Sequence, residues 1–187
     1  MIASGYAELD QNKYEEALHY FGGVRDFAIT PKFFLHWYWR IQAQLGTSVV
    51  CLKAGNVVNA RLEAEALLES ALSTADPNLH ALAWDMNARV AMAEKKWHIA
   101  EQCVQKALGV LETFEIPVTA WRVHASAWEA FRHTKGDAIA EHQRLRAEEL
   151  IFAIANSFAP DEPLRQTFLS APSVVRVLAV DHCAVAF

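Results

Sequence analysis

Glu16 and His19 stand three residues apart, the Glu-x-x-His spacing with which di-iron helix bundles hold their metals. Such a centre needs two copies of the motif and two further inward-facing glutamates, and no second copy is present. The eight histidines, at 19, 36, 80, 98, 124, 133, 142 and 182, include no HExxH pair. Cys51, Cys103 and Cys183 lie far apart and form no CxxC, so neither a zinc knuckle nor a disulfide framework is indicated. Nucleophile elbow, phosphate-binding loop and glycine-rich dinucleotide turn are all missing, and Gly22-Gly23 reads as a helix C-cap or kink. No residue set supports catalysis, a metal or a cofactor, and the chain reads as a binder rather than an enzyme.

Phe33, Phe34, Trp37, Tyr38 and Trp39 crowd a turn and a half of helix. That is aromatic surface enough for a partner-binding patch or a ligand-binding wall. Phe33, Phe34, Trp37, Tyr38, Ile41 and Leu45 nevertheless recur at helical spacing as a buried stripe. Trp39 falls off the stripe and is the candidate for an exposed aromatic contact.

The elements that position these side chains follow from composition and punctuation. Alanine and leucine carry much of the 53% hydrophobic content, and only 7 glycines and 6 prolines interrupt 187 residues, so helices are expected throughout. A formal charge of -5 argues against a nucleic-acid surface. No apolar run reaches the ~20 residues of a membrane span, and Glu8 and Asp10 interrupt the place of a signal peptide's apolar stretch. A cytoplasmic setting without membrane contact is the expectation.

Thr30-Pro31, Asp76-Pro77, Ile116-Pro117 and Asp161-Glu162-Pro163 mark helix starts. Gly55-Asn56, Lys95-Lys96 and Gly136-Asp137 mark short polar breaks between antiparallel helices. The spacing predicts helices over 2–9, 12–27, 31–54, 57–74, 77–95, 97–114, 117–134 and 136–157, then short ones over 161–170 and 173–179. Residues 97–114 show one apolar face, through Trp97, Ala100, Val104, Ala107 and Leu111, whereas 77–95 carries two stripes and must touch neighbours on two sides. That alternation suits a solenoid.

The chain also aligns on itself. Residues 63–72 fall on 99–108 at an offset of 36, residues 140–147 on 100–107 at 40, and Tyr14 through Phe21 supplies an earlier copy, so that Ala17, Ala64, Ala100 and Ala140 correspond. With Trp84, Ala88 and Ala91 on one helix and Trp97, Ala100 and Ala107 on the next, the pattern resembles the tetratricopeptide-repeat family, with units longer than that family's ~34 residues. Arg144 departs from it, standing where a bulky apolar residue is usual. The segment 156–172 is similar to the end of helical-repeat arrays in large bacterial regulators. The resemblance implies an all-α, right-handed superhelix of about four antiparallel helix pairs, one domain over 1–179 with a short C-terminal capping helix, and a tail over 180–187.

It further implies a groove lined by the first helix of each pair, placing Asp85, Arg89 and Met92 beside Arg122, Glu129, Arg132 and His133. Arg89, Arg122 and Arg132 would then hold carboxylates of a bound protein or peptide through forked hydrogen bonds, unless Asp85 and Glu129 pair with them. The asparagine-and-lysine clamp with which some family members grip chaperone tails is missing. The expected role is a protein-binding scaffold or regulatory segment of a larger bacterial signalling or transcription-regulating assembly. The alternatives are a small-molecule sensor or enzyme with an inter-helix pocket near Trp37, His36 and His80, and a self-association module. No polar capping repeat precedes the first pair, so the chain is expected to be a fragment or to bury that face in a homodimer.

Overall fold

The computed structural model describes residues 1–28 and 35–179. Ten helices and no strand occur among them. They are α1 (Ile2–Asp10), α2 (Tyr14–Ala28), α3 (His36–Lys53), α4 (Val57–Leu72), α5 (Pro77–Ala93), α6 (Trp97–Thr113), α7 (Pro117–Thr134), α8 (Asp137–Ala155), α9 (Pro163–Leu169) and α10 (Pro172–Leu178). The start expected at Thr30-Pro31, the aromatic residues Phe33 and Phe34, and the tail 180–187 lie outside the described residues.

Local chemistry sets the boundaries. Asp76 accepts hydrogen bonds from the backbone N–H groups of Asn78 and Leu79 at 2.9 and 3.4 Å, and Pro77 supplies the first helical φ. Helix α4 stops at Leu72 rather than at residue 74, because the Ser73 and Thr74 hydroxyls turn back onto the carbonyls of Ser70 and Ala71, both at 2.7 Å. Helix α2 begins at Tyr14 rather than at residue 12, since Asn12 adopts a left-handed backbone with φ 60°. Gly22 and Gly23 lie inside α2 and do not end it.

The left-handed residue between the helices of a pair is the most regular mark in the chain. Asn12, Gly55, Lys95 and Gly136 have φ of 60, 75, 60 and 87°, at intervals of 43, 40 and 41 residues. In the first three, the next N–H reaches back five residues: Lys13 to Glu8 O, Asn56 to Cys51 O, and Lys96 to Ala91 O, at 2.8–2.9 Å. These bonds satisfy carbonyls the ending helix leaves open.

The turns also fix the repeat register. Ala17, Ala60 and Ala100 each sit five residues beyond a turn and Ala140 four beyond, and all four are fully buried. Ala60, not Ala64, is therefore the equivalent of Ala100, and the offset is 40 rather than 36. Both alanines are buried one turn apart on α4, so a match on residue size accepts either.

Each helix packs on the next, and α1 also meets α3, α3 meets α5, and α5 meets α7. The first helices of the pairs thus form one row and the second helices another. Methyl-sized residues bring the rows close, while larger ones fill the space between pairs. In the first pair Phe21 fills it. A Cβ built on Gly5 of α1 would lie 2.7 Å from the Phe21 ring, and one on Gly46 of α3 only 2.4 Å away, so the ring is wedged between two bare backbones.

Phe21, Ala64, Val104 and Arg144 take corresponding places on α2, α4, α6 and α8, all fully or almost fully buried. Arg144 is tolerated there because its guanidinium is bonded. It meets Glu141 and Glu148 at 2.7–2.8 Å and donates to the Val177 carbonyl of α10 at 3.3 Å. Val174, Val177 and Phe168 complete the end by packing with Trp121, Ala147 and Ile151.

Candidate functional site

The row of first helices places the expected groove residues unequally. Asp85 and Arg89 lie one turn apart on α5, and Arg122 and Ser126 one turn apart on α7, the helix packed beside it. Asp85 is 4% exposed, and its Oδ1 has no hydrogen-bond partner. Burial pushes the Asp85 carboxyl above the usual carboxylate range, opposed by Arg89, the Ser126 hydroxyl and Arg122 in that order. Neither Arg89 nor Arg122 forms an ion pair among the described residues, and Arg122 lies 5.4 Å from the centre of the Trp121 ring.

Tyr6 joins this group from α1. Burial raises its phenol, and the charges of Arg122 and then Arg89 pull it back. Helix α1 packs on α2 and α3. Arg89 and Arg122 thus bear on both Tyr6 and Asp85, from three of the helix pairs.

The remaining expected residues are otherwise engaged. Met92 is buried, packing with Ala88, Ala91 and Phe131, and so serves the core and not a groove surface. Glu129 pairs with Arg176 of α10 at 3.2 Å rather than with Arg89 or Arg122. Arg132 stands over the Trp128 ring, 5.9 Å from its centre, and His133 stacks on Trp97 at 3.6 Å with an interplanar angle of 12°. Trp39 is 38% exposed and lies edge-on to Tyr38, whereas Trp37 and Tyr38 pack against the core of α3–α5. The His80 ring bonds the Thr74 carbonyl at 2.9 Å, which ties it to a helix cap.

Two adjoining furrows of about 390 and 350 Å³ between α2, α3 and α4 share Arg40 and Gln44. Among the described residues no three His, Cys, Asp or Glu side chains gather closely enough to hold a metal. No helix among them is long and apolar enough to cross a membrane.

Sequence reasoning missed Tyr6 and Ser126. Ser126 carries a signal, standing four residues beyond Arg122 as Arg89 does beyond Asp85. Tyr6 carries none, because it lies on α1, about 80 residues from Asp85 in the chain. No protein-family model matches the chain, and no curated protein is similar to it.

Proposed function

We propose that this chain is a tetratricopeptide-like superhelix whose inner face holds a segment of another protein, as a scaffolding or regulatory part of a larger bacterial, cytoplasmic assembly. The observation that carries the reading is the pair of guanidiniums, Arg89 and Arg122, that no carboxylate of the described chain neutralises, set beside the buried Asp85. An exposed and a half-buried cation within a packed row, with an unpaired buried acceptor beside them, fit a surface completed by a partner. The turns repeating at 40–43 residues, the buried alanine after each, and the continuous row of first helices support the tetratricopeptide-like architecture.

The reading is of a binder and not a catalyst. A pocket reading built on His36, His80 and Trp37 draws less support, since His80 serves a helix cap and Trp37 packs against the core.

Reversing both charges, Arg89→Glu with Arg122→Glu, tests the proposal in a pull-down from a bacterial lysate. The wild-type chain is expected to retain a partner that the double variant releases, with unchanged helicity by circular dichroism. Equal recovery by both proteins would show that the inner face is not the binding surface.

A further inference from the structure

We propose that the outer face of α8 pairs with the same face of a second copy of this chain, the two helices running antiparallel about a twofold axis at Leu145. This surface belongs to the row of second helices, so the inference does not depend on what the row of first helices binds.

The first argument is the pattern on α8. Ala140, Arg144, Ala147, Ile151 and Ala155 make up its buried face. On the opposite face Ala138, His142, Leu145, Glu149 and Phe152 follow one another at steps of four and three residues, and all five are exposed. That is the spacing of a seam between two helices, with an apolar residue at every seventh place. Leu145 is 50% exposed and Phe152 41%. A merely solvated face needs neither: the equivalent second helices carry Glu65 and Gln105 in place of Leu145, and Leu72 and Glu112 in place of Phe152. Helices α7, α9 and α10 pack against α8 and leave this line uncovered.

The second argument is that the line complements itself. Antiparallel pairing brings the two Leu145 side chains together at the axis. It also sets the small Ala138 opposite the large Phe152 of the second copy, and His142 beside Glu149 of the second copy. The last two contacts recur on the other side of the axis, as an isologous interface requires. Both polar groups have capacity to spare. Glu149, with a side chain 65% exposed, meets Arg146 through Oε2 alone, and His142 meets the Gln143 amide at 3.4 Å through Nδ1 alone. Parallel pairing is disfavoured, because it sets Glu149 against Glu149.

Sedimentation equilibrium of the whole chain over a range of concentrations tests this. A monomer–dimer equilibrium is expected, weakened at least tenfold by Leu145→Glu. Leu62→Glu, on a leucine of α4 that is 61% exposed, should leave it unchanged. His142→Glu and Glu149→Lys should each weaken the dimer several-fold, and an equal mixture of the two variants should recover the lost affinity, because the introduced carboxylate and ammonium meet only across the interface. A contact within one chain cannot be repaired by mixing. All these side chains are exposed, so circular dichroism should show unchanged helicity in every variant. Four outcomes would overturn the proposal: a monomer at every concentration, whether this face stays bare or another segment of the chain covers it; a dimer that Leu145→Glu leaves intact, which places the interface elsewhere, as at the first helix pair; equal weakening by Leu62→Glu, which marks unspecific apolar association; or no recovery in the mixture.

Discussion

Asp85 shows most directly what a buried carboxyl costs the fold. A carboxyl that is 4% exposed and lacks a partner for one oxygen is easier to bury protonated than ionised. Its folded pKa is raised above the unfolded value of 3.8, so its contribution to stability is full below that pH and is lost as pH rises through the raised folded value. Asp85→Asn, which cannot ionise, should therefore melt higher than the wild type at pH 7, by about 1 kcal/mol in unfolding free energy. The gain should vanish near pH 3.5, and urea titrations at the two pH values measure it. At this scale the sequence was partly legible. The family resemblance implied that Asp85 and Arg89 stand beside Arg122, and the helices that carry them, α5 and α7, do pack together. It also included Met92, which is buried, because α5 is flanked on several sides and leaves little free surface.

Among the elements, the tightest fit is that of Phe21 between α1 and α3. Gly46→Ala places a methyl against a ring that cannot retreat, since Gly5 backs it at similarly short range. Overpacking of this kind costs roughly 1–3 kcal/mol. Gly22→Ala, on the same α2 but with nothing within 4 Å of the added Cβ, is expected to stabilise by about 0.5–1 kcal/mol through helix propensity. Thermal melts of the two variants should move in opposite directions. Most elements were readable from punctuation: Pro77, Pro117 and Pro163 open helices, and Gly55, Lys95 and Gly136 stand between them. The repeat register was not readable from similarity alone. Ala60 and Ala64 are equally small and lie on one face of α4, and only the left-handed turn at Gly55 decides between them.

For the whole molecule, the end of the array depends on Arg144. The corresponding places on α2, α4 and α6 are filled by Phe21, Ala64 and Val104, so the guanidinium marks where the apolar stacking stops. Arg144→Ala leaves Glu141 and Glu148 without their shared cation and removes the donor to Val177. A loss of about 3 kcal/mol is expected, seen as faster amide exchange in α10 before α1–α6 change. The departure at Arg144 was visible in the sequence, but its reason was not, because Val177 lies 33 residues away.

The pattern of contacts also determines how the chain answers a mechanical load. Each pair is joined to its neighbours, so an extending load is taken up first at the interfaces between successive pairs, before any helix must unwind.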